Sequence, residues 1–177
     1  FDRPFLHYPL DLVRKIPEID EVILSLNYQP RRIEAVFGDG GDRGPAIRYV
    51  VEPTPLGTGG AIRYSGESLR DPVVVFNGDV LTDIDLAAVI ARHRERKADT
   101  HGNVRRFLEK PSPDQITCDT INAGIYVLEP RTFDRIPKDT PWSIERSFFP
   151  SLIERGETFV AYINHGYWID IGTPEKY

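Results

Sequence analysis

The run Val73-Val74-Val75-Phe76-Asn77-Gly78-Asp79 is the strongest constraint on what this chain can become. Three valines and a phenylalanine in succession read as a strand buried on both faces, which is the pattern of a sheet covered by helices on each side. The run stops abruptly at Gly78-Asp79, so the carboxylate of Asp79 emerges where a strand ends. In open α/β sheets the ligand crevice lies outside the carboxyl ends of the strands. The rest of the first half alternates in the same sense. Leu6 to Ile16 reads as a helix, Glu21 to Asn27 as a buried strand, and Arg31 to Phe37 as a short helix ended by Gly38-Asp39-Gly40-Gly41. Ile47 to Glu52 is a further strand, Leu56 to Tyr64 a glycine-rich turn entering a helix, and Asp85 to Lys97 a helix with Leu86, Val89 and Ile90 inward.

This alternation predicts an α/β fold with a Rossmann-like, mixed and mostly parallel sheet flanked by helices on both faces. The second half spaces its strands more directly. Val104 to Glu109, Ile121 to Leu128 and Phe159 to Asn164 read as strands, and Ser143 to Arg155 as a helix, so an antiparallel part of the sheet is expected there. No repeat, low-complexity tract or linker divides the 177 residues, which suit a single domain spanning 1–177.

Composition narrows the function. A net charge of -5 argues against a nucleic-acid partner, because phosphate backbones select basic faces. No run of about 18 apolar residues offers a membrane span. The one cysteine, Cys118, forms neither an internal disulfide nor a cysteine metal site, which fits a cytoplasmic setting. His7, His93, His101 and His165 show no zinc-ligand spacing. The chain begins at Phe1 and has no methionine, so an initiator upstream is expected. At Lys97-Ala98-Asp99-Thr100-His101-Gly102-Asn103 a helix runs straight into a turn and strand, and a missing stretch is expected between Thr100 and His101.

Four pieces carry candidate chemistry. Asp79 and Asp170, the latter in Gly166-Tyr167-Trp168-Ile169-Asp170-Ile171-Gly172-Thr173-Pro174, are a pair of hard oxygen donors of the kind that holds Mg²⁺ together with substrate phosphates. Phe107-Leu108-Glu109-Lys110-Pro111 places a lysine point charge where a strand ends. On its own, Glu109-Lys110 is equally a surface ion pair contributing about 0–1 kcal/mol. Asn122, in Ile121-Asn122-Ala123-Gly124-Ile125-Tyr126, caps a strand or meets a hydroxyl pair with its amide. Leu56-Gly57-Thr58-Gly59-Gly60-Ala61 is a tight turn into a helix or a phosphate cradle at a helix start, though it lacks the Gly-Lys-Ser/Thr of a P-loop. Asp83-Ile84-Asp85 has the Asp-x-Asp form of a glycosyltransferase metal motif, but follows the strand end by several residues and reads as a helix cap.

Taken in order, these pieces resemble the sugar-phosphate nucleotidyltransferases. The likeness runs from Asp2-Arg3-Pro4 to Gly172-Thr173-Pro174 and covers nearly the whole chain. Glu52-Pro53-Thr54-Pro55-Leu56-Gly57-Thr58-Gly59-Gly60-Ala61 looks most like the mannose-1-phosphate guanylyltransferase branch, with the glucose-1-phosphate thymidylyltransferases as the neighbouring type. The resemblance implies the fold of the nucleotide-diphospho-sugar transferases. It implies Mg-dependent transfer of a nucleotidyl group from a nucleoside triphosphate to a hexose 1-phosphate, with pyrophosphate released. Asp79, Lys110 and Asp170 are then the catalytic set, and Asp79 and Asp170 the metal ligands. Leu56, Gly57 and Thr58 frame the base, Gly78 leaves room for the ribose, Glu109 binds hexose hydroxyls with Asn122, and Lys110 binds the sugar phosphate. The family's glycine-rich amino-terminal loop, which grips the triphosphate, is absent from the chain. A chain that lacked it altogether would instead be a regulatory subunit or sensor that binds a sugar nucleotide without turnover. Homo-oligomerisation is compatible with this family and left open by the sequence.

Overall fold

The computed structural model describes residues 3–41, 44–95 and 103–173. The expected break between Thr100 and His101 lies outside the described residues. In chain order the regular elements are α1 (His7–Val13), β1 (Glu21–Leu26), α2 (Pro30–Phe37), β2 (Ala46–Val51), α3 (Gly57–Ser65), β3 (Val73–Phe76), β4 (Val80–Thr82), α4 (Leu86–Glu95), β5 (Ile125–Leu128), α5 (Phe149–Glu154) and β6 (Trp168–Asp170). Short 3₁₀ turns cover Pro113–Gln115 and Pro130–Arg135.

The strands pair two by two. β1 and β2 run parallel, from Glu21 opposite Ala46 to Leu26 opposite Val51, with α2 as the crossover that parallel neighbours need. Arg48 ties this pair across the strands through two contacts to the Glu21 carboxylate, at 2.9 and 3.1 Å. β3 pairs with β5 antiparallel, and β4 with β6 antiparallel. Among the described residues these are three separate two-stranded sheets, one parallel and two antiparallel, where the alternation predicts a continuous and mostly parallel ladder.

The layering survives because the side-chain period is that of a strand covered on both faces. Val73 and Val75 point into a core of Tyr126, Leu128, Phe133, Ile136, Ile144, Phe148, Phe149 and Leu152. Val74 and Phe76 point the other way, with Val22 and Ile90, onto Val13, Ile16 and Leu86. The first core is aromatic: the Phe149 ring stacks on Phe159 at 4.8 Å and meets the edge of Tyr126 at 4.9 Å. The strands themselves are only half-buried. No residue of β1 or β3 reaches the buried class, so the expectation of fully buried strands is corrected. The physical reason is pairing: each of β1 and β3 has one strand neighbour among the described residues, and its other edge gains no cover from a second.

Other expectations are redrawn as well. Val104 to Glu109 and Phe159 to Asn164 are not strands; one antiparallel bridge, Asn103 to Val160, and the bond from Val104 N–H to Phe159 C=O at 2.7 Å join this part of the chain. The helix expected over Ser143 to Arg155 opens as a wide π turn, Ile144–Phe148, before α5 begins. Ser143 caps it, its hydroxyl accepting from the Arg146 N–H at 3.0 Å. Pro150, which has no N–H to donate, sits in the first turn of α5, where none is required. Asp85 caps α4 by accepting from the Ala88 N–H at 3.0 Å, so Asp83-Ile84-Asp85 is a helix start. No described helix is long and apolar enough to cross a membrane.

Candidate active site

β3 ends at Phe76, and the chain turns through Asn77-Gly78-Asp79 into β4. The turn is anchored on the opposite strand: Asn77 N–H donates to Gly124 C=O at 2.8 Å. β4 then lies against β6 with Val80 opposite Asp170. That register sets the two aspartates side by side. Ile171 N–H donates to the Asp79 carbonyl at 2.8 Å, and Gly172 N–H donates to Asp170 Oδ1 at 2.6 Å. Both carboxylates converge on Gly172: a Cβ there would lie 2.7 Å from Asp79 Oδ2 and 3.0 Å from Asp170 Oδ1. Glycine keeps open the space between two anionic groups, a space that any side chain would fill.

This is the donor chemistry of a hard divalent cation. The described residues hold no cluster of three or more His, Cys, Asp or Glu side chains suited to a metal, and among them this position offers two carboxylates. Mg²⁺ is commonly held by one or two carboxylates and completed by substrate phosphates and water, and the pair fits it.

Asp79 and Asp170 lie on the wall of a cavity of about 1310 Å³ that also exposes Glu109, Lys110, Asn122 and Glu145. Lys110 therefore faces the same space as the aspartates. Its backbone is held at φ 51, in the left-handed region that non-glycine residues seldom occupy. Such strain concentrates at ligand-contacting positions. At Gly78 an added Cβ would meet nothing within 4 Å, so no protein neighbour requires a glycine there and the open side faces the turn's surroundings.

The glycine turn borders a smaller, adjoining cavity. Gly57 and Thr58 line a second cavity, of about 440 Å³, together with Glu109, Lys110, Trp142, Glu145 and Arg146. Glu109, Lys110 and Glu145 border both cavities, so the two adjoin, with Asp79 on the larger and the turn on the smaller. Leu56 is 1% exposed and belongs to the interior. Its N–H donates to Glu52 Oε2 at 2.9 Å and its carbonyl accepts from Trp142 N–H at 2.8 Å. Leu56 thus orients the turn and presents no side chain to a substrate. The start of α3 is also spent internally, since Gly59 and Gly60 both donate to the Trp142 carbonyl, at 2.8 and 3.2 Å. Those two amides are engaged inside the protein and do not face a ligand.

Asn122 is engaged at both ends of its amide. It donates to the Tyr126 hydroxyl at 2.7 Å and accepts from Gly124 N–H at 3.2 Å. Gly124, at φ 70, holds a conformation that favours glycine, and an added Cβ would come within 2.9 Å of the Asn77 amide nitrogen. Trp168 closes the same turn, its indole N–H donating to the Ala123 carbonyl at 2.9 Å. Asn122, Gly124 and Trp168 are therefore a brace that positions β6, and with it Asp170, against the turn that carries Asp79. Asn77 and Tyr126 were not among the residues singled out from the sequence. Both line the large cavity. Asn77 stands within Val73 to Asp79, and its polar side chain at the end of an apolar strand is the signal the sequence carries for it. Burial pushes the Tyr126 phenol well above its ordinary range, opposed by the Asn122 hydrogen bond and reinforced by the negative charges of Glu145 and Glu109.

The chain resembles known proteins along nearly its whole length. The chain is 40% identical over 196 positions to the mannose-1-phosphate guanylyltransferase of Mycobacterium tuberculosis, a match covering 98% of this chain and 54% of the relative. It is 32% identical to the D-glycero-alpha-D-manno-heptose 1-phosphate guanylyltransferase of Aneurinibacillus thermoaerophilus, over 99% of this chain and 83% of that one. The chain spans about half the length of several of the curated relatives it matches. Among solved structures, HddC from Yersinia pseudotuberculosis superposes with a TM-score of 0.75 at 25% identity, over 98% of this chain and 82% of that one. The same protein complexed with GMP-PN superposes at 0.68 with 27% identity, over the same shares. The fold is that of the nucleotide-diphospho-sugar transferases. The model of the Nucleotidyl transferase family matches residues 1–102 and 97–177, and the chain belongs to that family.

Proposed function

We propose that the chain transfers a nucleotidyl group from a nucleoside triphosphate to a hexose 1-phosphate, releasing pyrophosphate, with GTP and mannose 1-phosphate as the leading substrates. The observation that carries this reading is the convergence of Asp79 and Asp170 at Gly172, on a cavity wall that also bears Glu109 and Lys110. Two guanylyltransferase names among the relatives support the choice of base.

In this reading an oxygen of the sugar phosphate attacks the α-phosphorus. One P–O bond forms, the bond to the bridging oxygen of the β-phosphate breaks, and pyrophosphate leaves. The main barrier is the approach of two anions, so catalysis is positioning and charge neutralisation. Asp79 and Asp170 would hold Mg²⁺, which when bound supplies positive charge to phosphate oxygens. Lys110 adds a cation on the cavity wall for the sugar phosphate, and Glu109 beside it accepts from hexose hydroxyls. The brace of Asn122, Gly124 and Trp168 keeps Asp170 in register with Asp79.

We also infer that relatives carry a stretch between Thr100 and His101 that this chain lacks. The family model matches in two pieces that meet at residues 97–102. The aligned spans, 196 positions or more, exceed the 177 residues here.

The test is pyrophosphate release with Mg²⁺ from GTP, dTTP, UTP and ATP, each paired with mannose and glucose 1-phosphates. One or two hydrogen bonds to the edge of the base discriminate by roughly ten- to several-thousand-fold, so one nucleotide should stand clear of the others. A preference for dTTP or UTP would reject the guanylyl assignment and keep the reaction class. Binding of GTP without pyrophosphate release from any pair would reject the class in favour of a sugar-nucleotide sensor.

A further inference from the structure

The π turn Ile144–Phe148 brings one carboxylate to a place that nothing in the reaction described above assigns. Thr58 donates its hydroxyl proton to Glu145 Oε2 at 2.9 Å, and Ser143 donates to the same oxygen at 2.9 Å. Thr58 Oγ1 in turn accepts from the Ile144 N–H at 2.9 Å. Around this knot runs a backbone clasp: Trp142 N–H to Leu56 C=O, and Gly59 and Gly60 N–H to Trp142 C=O. Two segments more than eighty residues apart in sequence are thereby locked together at the border of both cavities.

We propose that Glu145 is a positioning residue for the nucleotide. It acts through Thr58, fixing the glycine turn Gly57-Thr58 at the wall of the smaller cavity. This rests on the reading of that turn as the frame of the nucleoside. The Thr58 hydroxyl donates its hydrogen bond to Glu145 and accepts from the Ile144 N–H, so Thr58 serves the clasp and does not itself read the base. Hydrogen bonds to an ionised acceptor are among the stronger ones, and losing this acceptor leaves two hydroxyls and the turn without their common anchor. Single π turns occur frequently at functional sites.

The test is steady-state turnover of GTP with mannose 1-phosphate, measured for the wild-type chain, Glu145→Ala, Thr58→Val and the double variant, with melting temperatures alongside. Glu145→Ala should raise the KM for GTP by about tenfold or more, leaving kcat and the KM for mannose 1-phosphate within about twofold. Thr58→Val should act in the same direction, and the double variant should be no worse than the more damaged single one. Glu145→Gln, which keeps an acceptor oxygen of the same reach, should recover most of the lost affinity and serves where the alanine variant fails to fold. Additive effects of the two substitutions would overturn the proposal, because Thr58 would then act on the nucleotide independently. So would an unchanged KM for GTP in Glu145→Ala, or equal losses for both substrates. A wild-type chain without GTP turnover would overturn the reading of the site itself, and the proposal with it.

Discussion

At the scale of single residues, Gly172 is as informative as the aspartates it separates. Its neighbours are two carboxylate oxygens, and its backbone needs no left-handed geometry, so the demand for glycine is one of space. Gly172→Ala should therefore leave the melting temperature close to wild type while weakening Mg²⁺ activation by roughly tenfold or more, since the added methyl occupies the position between the ligands. A Mg²⁺ titration of pyrophosphate release checks this. Undiminished Mg²⁺ affinity in the alanine variant would show that the cation, if it binds, sits elsewhere.

At the scale of elements, the site depends on β4, β5 and β6, and this is where the sequence was least legible. Asp79 at a strand end followed from an apolar run that stops at Gly-Asp, and the caps and turns of the first half followed from local chemistry. β4 and β6 are three residues each, too short for a period of two to register, and they exist because they pair with each other. Thr58 and Leu56 were visible as part of a glycine turn, but their partners Glu145 and Trp142 lie far along the chain and only tertiary contact reveals them. Tyr126 on β5 gives this region a pH signature. Burial raises its folded pKa above the ordinary 10.0, so the protonated phenol stabilises the fold fully below about pH 10. That contribution is lost as pH rises from there through the raised folded value. Tyr126→Phe should show a shallower alkaline decline in urea-unfolding free energy than wild type. Its stability at neutral pH should fall by about 0.5–1.5 kcal/mol, from the lost bond to Asn122. Identical alkaline limbs would mean that the phenol is not buried in solution.

At the scale of the whole molecule, two cores hold opposite faces of β3, and the antiparallel pairings of β3 with β5 and of β4 with β6 bring a distant half of the chain onto the strand end. The α/β layering was readable from alternating apolar runs. The division of the strands into three pairs was not, because edge pairing is decided by which segments reach one another and not by their own pattern. In the proposed function, the pairing of β4 with β6 brings Asp79 and Asp170 to one cation. Mg²⁺-dependent pyrophosphate release from GTP and mannose 1-phosphate in Asp79→Asn, Asp170→Asn and the double variant checks this. Each single variant should lose roughly 100-fold or more in kcat, and the double should lose little beyond that, as expected of groups that act as one unit. Normal Mg²⁺-dependent turnover by either single variant would contradict the claim.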